Sequence, residues 1–463
     1  KYFELYDGQA VTTEDFLYAM SEASGFDFSE FEKWYHQAGT PVVKVDRRYD
    51  EDKKLYQIEF YQPDSNKTFH IPMRLGLLQK DGKEIDLKRD NDLFHLTHAK
   101  EKMTFENISA EPIPSLNRHF SAPIKLEIDY RKEELLTLMK FDADLFNRWE
   151  ASQKLWQNEI LSLSNNPQKE IDKDVLYAIK TIVTDTLNSD VYSSDYHFLA
   201  QQLTLPSEIY LNDLLSTPAF DAIHEKVNYL KEQITNECKN EFVELYHKLH
   251  SFDDYQRDQL AIGKRALKNR ILDYLVSTKE KELADIALKQ FTTANNMTDQ
   301  FGAFNCIVSQ LASNQFEYAY RDEVIERFYK QWHEDSLVMN KWLSSQAASC
   351  VDNDIYRIAK LEKDRIFDLK EPNKIYALYR TFANLNITQF NNPDGSGYSF
   401  IAERILKLDE INSRVASSLA LAFKRYQKLD HGRKEAMKQQ LERIIAKPHL
   451  SKDTFEIVSK ILS

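Results

Sequence analysis

At 463 residues the chain exceeds what one hydrophobic core ordinarily supports, so two or three domains are expected, each burying its own core. Its 42% hydrophobic and 29% charged residues, with 24 Tyr and 27 Phe, exclude a disordered polymer and a small stapled scaffold. A formal net charge of -12 argues against a nucleic-acid partner, because phosphate binding needs a concentrated Lys/Arg surface.

No run of about 18 apolar residues occurs, so neither a spanning helix nor a membrane partner is expected. The three cysteines, Cys238, Cys306 and Cys350, are odd in number and widely spaced, which points to a reducing compartment and a cytoplasmic location. Cys238 also lies on the stripe Val227, Leu230, Ile234, Cys238, Phe242, Leu245, Leu249, the spacing of a buried helix face. Lys1 to Tyr6 carry neither an initiator Met nor a signal-peptide pattern, the start expected of a fragment.

From residue 1 to about 40 the spacing predicts two helices. Thr12 with Asp15 forms a capping box before Phe16 and Met20, and Ser29 precedes Phe31, Trp34 and Tyr35, with Gly25 and Gly39 as stops. Two short helices cannot bury a core of their own, so they are expected to be the tail of a domain lying upstream.

From 41 to about 130 the period falls to two. Val43 and Val45, then Tyr56, Ile58 and Phe60, then Ile71, Met73, Leu75 and Leu77, then Ile124, Leu126 and Ile128 alternate with other residues, as strands with one buried face do. Asp81-Gly82 is a hairpin signal before Ile85 and Leu87, and Pro63, Pro72, Pro112, Pro114 and Pro123 mark breaks. A β-sandwich of roughly seven or eight short strands fits this length.

From 131 to 463 the reading is helical throughout. Between Pro218 and Pro372 there is no proline, and the only glycines are Gly263 and Gly302, where average usage would give about 8 and about 11. Leu267, Ile271, Leu272 and Leu275, then Leu283, Ile286 and Ala287, recur as short amphipathic helices with polar joints. Stacked helix pairs in a superhelix are expected, although no clean sequence repeat names a HEAT or TPR array.

Motifs for catalysis are missing from this sequence. His224-Glu225 and His333-Glu334 lack the second histidine of H-E-x-x-H, and there is no G-x-S-x-G, Walker loop or C-x-x-C. His95 and His98 would face opposite sides of a strand. His247 and His250 would share a helix face but have no third ligand nearby, so no metal-ligand set of workable spacing is expected in this chain. Asp394-Gly395-Ser396-Gly397 could offer backbone N–H groups to an anion, yet reads first as an interhelical turn.

Several segments, in order, resemble one family. Tyr2-Phe3-Glu4 with Asp7-Gly8, Asp15-Phe16, and Trp34-Tyr35-His36-Gln37-Ala38-Gly39-Thr40-Pro41 are followed by Phe120-Ser121-Ala122-Pro123-Ile124-Lys125-Leu126. Then come Ala294-Asn295-Asn296-Met297-Thr298-Asp299, Leu337-Val338-Met339 with Lys341-Trp342, Pro372-Asn373, Asp394-Gly395-Ser396-Gly397-Tyr398 and Val415-Ala416-Ser417. Across essentially the whole chain these are similar to the C-terminal half of the bacterial aminopeptidase N group of zinc metallo-aminopeptidases, gluzincins.

The resemblance implies a mixed, mainly α chain: residues 1–40 as the helical tail of a truncated thermolysin-like catalytic domain, 41–130 as a β-sandwich, and 131–463 as an α-helical superhelical domain. It implies that the zinc site and the catalytic residues belong to the missing upstream domain, so that zinc is a cofactor of the intact enzyme only. The partners implied are peptides and that upstream domain, and the fragment alone is expected to be inactive. It further implies that Asn373, Lys374, Tyr376, Arg414 and Ser418 face the internal substrate chamber. Tyr376 and Ser418 stand where relatives carry arginines, and Arg414 where a glutamine lines the first pocket. A non-catalytic helical scaffold that binds partners on a concave surface is the alternative from another functional class.

Overall fold

The computed structural model describes residues 1–64, 68–87, 93–189, 195–251, 254–312, 320–351 and 355–463. They divide into two compact units, Lys1–Leu155 and Trp156–Ser463.

The first unit opens with a helix whose start the sequence announces. In Thr13–Ser24 the Thr12 N–H donates to Asp15 Oδ2 at 2.9 Å while Asp15 N–H donates to Thr12 Oγ1 at 3.4 Å, and Gly25 closes it at φ 70. The second expected helix is a single turn, Lys33–His36. Trp34 is the reason it holds its place, since its ring packs on the sandwich core and its indole N–H donates to His70 O at 2.9 Å.

Seven strands follow: β1 Val42–Asp50, β2 Leu55–Tyr61, β3 Ile71–Leu78, β4 Leu93–Leu96, β5 Lys100–Phe105, β6 Ile113–Leu116 and β7 Lys125–Ile128. They form a four-stranded sheet, β5-β2-β1-β7, and a three-stranded sheet, β4-β3-β6. β1 pairs antiparallel with β2 and parallel with β7. The alternating residues of β1, β2 and β3 face one core, in which Tyr56, Ile58, Phe60, Ile71, Met73 and Leu77 are fully buried; each such large apolar side chain contributes about 1.5–3 kcal/mol.

Two prolines read as breaks lie inside strands instead. Pro114 is on β6, at the edge of its sheet, where a missing N–H is tolerated. Pro72 lies on the half of β3 that pairs with β4 alone, since β6 pairs only with Leu75–Leu78. The Asp81-Gly82 signal holds: Gly82 has φ 87, and Leu78 bridges Glu84 across the turn.

Buried polar groups join the sandwich to the helix Lys132–Phe141. The Glu134 carboxylate, 3% exposed, accepts from Arg47 of β1 at 2.8 and 2.5 Å and from Arg131 N–H at 2.8 Å and its guanidinium at 2.7 Å. Arg118 is buried too, donating to Ser115 Oγ at 2.8 Å and Asp142 Oδ1 at 3.0 Å. Gly76 makes room for it, because a Cβ there would sit 2.3 Å from the guanidinium carbon.

The second unit is helical in every element described. Most helices pack against neighbours one to three steps along the chain, as Phe220–Leu249 does on Gln259–Ser277 and Lys281–Thr293 on Met297–Gln310. The array also returns on itself. Arg425 grips Asp213 with two hydrogen bonds of 2.6 and 2.8 Å, and Arg433 reaches Asp221 at 2.7 Å, each pair 212 residues apart in sequence.

Candidate functional site

Within the helical unit, Pro372–Ile375, a π-helical turn Tyr376–Arg380 and Thr381–Leu385 run on as one continuous helical segment. Such wide turns concentrate at functional sites, because the extra residue re-aims side chains. Thr381 Oγ1 donates back to Tyr376 O at 3.2 Å, and Ser344 Oγ to Ala377 O at 3.1 Å, which fixes the turn against the helix Ser336–Ala348.

Asn373 and Tyr376 share an open concavity of about 420 Å³ with Asn340, Ser344, Arg380 and Asn384. The Arg380 guanidinium lies 5.7 Å from the centre of the Tyr376 ring, and Asn340 Oδ1 is a buried acceptor with no hydrogen-bond partner among the described residues. The surface offers amide and hydroxyl groups and one positive charge. None of these side chains is a general base or a strong metal ligand.

Lys374 is buried, its ammonium donating to Ser336 O at 3.0 Å, and burial pushes its pKa below the ordinary lysine value. Arg414 is exposed and Ser418 half-buried on the helix Ser413–Ala420, capped by Asn412 Oδ1, which accepts from Val415 N–H at 3.2 Å. Those two are not among the residues lining the concavity of Asn373 and Tyr376.

The histidines fall elsewhere. His95 Nδ1 lies 2.8 Å from His70 Nε2, and His98 pairs with Glu101 at 2.9 Å. His250 is past the end of the helix Phe220–Leu249, so it does not share a helix face with His247 as the spacing suggested; its ring stacks on Tyr246. The three thiols are free, and burial raises their pKa values, to about 12 for Cys238 and about 11 for Cys350, which makes them poor nucleophiles at neutral pH.

Sequence spacing missed one trio. Glu14, Glu32 and His36 bring ligand atoms within 4.8 Å of one another, His36 Nε2 lying 3.2 Å from Glu32 and 3.7 Å from Glu14. Glu14 comes from a different helix, across the Gly25 turn, so linear spacing carries no trace of it. His36 and Glu14 are exposed and Glu32 half-exposed, which does not fit the enclosed three-ligand set of a catalytic zinc site.

Two further segments have structural roles. In Ala294 to Asp299, Asn296 caps the helix Met297–Gln310, and buried Asp299 accepts from Lys268 Nζ at 2.8 Å. In the turn before Ser396–Asp409, the N–H groups of Asp394, Gly395 and Ser396 donate to Asn392 Oδ1, Asn392 O and Asp394 Oδ1, so the turn satisfies itself.

Residues 132–463 match the family described as a domain of unknown function, DUF3458_C, with ARM repeats, and residues 39–129 match DUF3458, with an Ig-like fold. The chain is 32% identical to aminopeptidase N of Haemophilus influenzae, over 98% of this chain and 52% of that protein. It is equally similar to aminopeptidase N of Escherichia coli, over 100% of this chain and 53% of that one. A crystal structure of Legionella pneumophila aminopeptidase A in complex with aspartic acid superposes with a TM-score of 0.88 at 30% identity, over the whole chain and 53% of that protein. The chain thus spans about half the length of the curated relatives it matches. It belongs to the DUF3458_C family of ARM-repeat domains, preceded by a DUF3458 Ig-like domain, as in the C-terminal region of aminopeptidase N.

Proposed function

We propose that this chain is the non-catalytic C-terminal part of a zinc-dependent aminopeptidase that removes N-terminal residues from peptides. Its helical unit lines and caps the substrate chamber. The observation that carries the reading is the end-to-end match to about half of each aminopeptidase N, in a sequence with no H-E-x-x-H. Zinc, when bound, supplies activated water, and its ligands belong to the upstream domain. Cytoplasmic location agrees with three unpaired cysteines.

In this reading Asn373 and Tyr376 meet the peptide, Lys374 braces their helix through Ser336, and Arg414 and Ser418 face the chamber from a second helix. Arg414 then brings a positive charge near the substrate. It favours acidic over basic N-terminal residues by about 1 kcal/mol in a partly desolvated site, a several-fold ratio. The experiment is Arg414→Gln in the intact enzyme, assayed with acidic, neutral and basic N-terminal substrates. A drop in the acidic-to-basic ratio of kcat/KM supports the placement; an unchanged ratio removes Arg414 from the chamber.

A further inference from the structure

The first unit holds a cavity of about 150 Å³ between the sandwich and the helices that follow it. Ile124, Leu126, Leu138 and Phe146 supply apolar walls, and Glu150 and Lys154 the charged groups. A space of this order, lined by aliphatic and aromatic side chains, is about what one benzene-sized group fills.

Lys154 is the unusual member of the lining. Its side chain is 25% exposed, whereas that of Glu150, one helical turn earlier, is 42% exposed. The amine is therefore at the wall and the carboxylate at the rim. Their closest approach is 3.9 Å, an ion contact too long for a hydrogen bond. The ammonium otherwise faces the Tyr130 ring at 5.3 Å, and among the described residues nothing accepts a hydrogen bond from it. Burial lowers its pKa accordingly. The neighbouring groups are already engaged: the Tyr130 hydroxyl donates to Pro114 O at 2.8 Å, and the Asn147 amide to Ser115 Oγ at 2.7 Å.

A partly exposed amine with no hydrogen-bond acceptor among the described residues, a more exposed carboxylate at the rim and a space of phenyl size with apolar walls together select a ligand class. A simple carboxylate would meet the negative charge of Glu150, and a simple amine the positive charge of Lys154. A zwitterion satisfies both. We propose that this cavity binds a free apolar or aromatic α-amino acid, with its side chain in the cavity, its carboxylate on Lys154 and its ammonium toward Glu150. The N-terminal residue of a peptide lacks the free carboxylate and is discriminated against. The site stands independently of the aminopeptidase reading; if that reading also holds, it takes free amino acids of the kind such an enzyme releases.

The test is calorimetric titration of the 463-residue chain with L-phenylalanine, N-acetyl-L-phenylalanine, 2-phenylethylamine and glycine, repeated on Lys154→Met and Glu150→Gln. Circular dichroism and thermal melting verify that each variant is folded; Glu150→Gln changes only a rim group and keeps the test valid should Lys154→Met fail to fold. L-phenylalanine should saturate one site. Each analogue, and each folded variant with L-phenylalanine, should bind about tenfold more weakly or worse, the loss expected when a charge-assisted hydrogen bond or, for glycine, the apolar side chain is removed. No saturable binding of L-phenylalanine, equal binding of the acetylated or decarboxylated analogue, or undiminished binding by the folded variants would each overturn the site.

Discussion

Glu134 illustrates how a single side chain holds part of this fold. Its two oxygens take four hydrogen bonds from Arg47 and Arg131. Burial works to raise its pKa, but those bonds outweigh it and hold the carboxyl below the usual glutamate range. Glu134→Gln leaves the largely buried Arg47 without its counter-charge, and should cost about 3 kcal/mol at pH 7. A carboxyl with a lowered folded-state pKa contributes stability that is fully present above the ordinary value of about 4.3, and that is lost as pH falls through the folded value. Urea denaturation of wild type and variant should therefore show a wide gap at pH 7 that narrows below about pH 4. A gap that stays constant with pH would contradict this role.

Legibility at the residue scale follows the range of the interaction. The Thr12–Asp15 capping box spans three residues and is visible in the sequence, as is the stop at Gly25. Arg47 with Glu134, 87 residues apart, and the trio of Glu14, Glu32 and His36 depend on the fold, and local pattern has no access to them. Asn373 and Tyr376 stand out in the sequence by resemblance alone. Nothing in their spacing foretold the π-helical turn or the orphaned oxygen of Asn340 beside them.

Among the elements, strands with one wet face declared themselves by alternation, which is why β1, β2 and β3 could be placed. β6 is buried at all four positions and contains Pro114, so it showed neither alternation nor strand-like composition. The helical unit was readable from its lack of proline, but not its return contacts. A cycle on Asp213→Asn and Arg425→Leu should show a coupling of about 1 kcal/mol, modest because Asp213 is 42% exposed; zero coupling would mean that the ion pair does not help to close the array. Gly397 offers a sharper test. A Cβ there would stand 2.4 Å from Phe390 O and 2.5 Å from Gln389 O, backbone atoms that cannot step aside. Gly397→Ala should lower stability by about 2 kcal/mol or more, seen as a reduced melting temperature, while Ser396→Ala should change it little.

At the scale of the whole molecule, the account rests on a division of labour. This chain supplies an Ig-like sandwich and a helical repeat array with a polar concavity; in the proposed function that concavity orients a peptide and the bond-breaking groups belong to sequence outside the chain. The most direct measurement is hydrolysis of an alanyl chromogenic substrate by the purified 463-residue chain, beside the intact protein with its upstream domain and zinc. The account predicts turnover by the intact protein and none above buffer by the chain alone, with or without added zinc. Zinc-dependent turnover by the chain alone that survives repurification, and that is lost in His36→Ala, would contradict it.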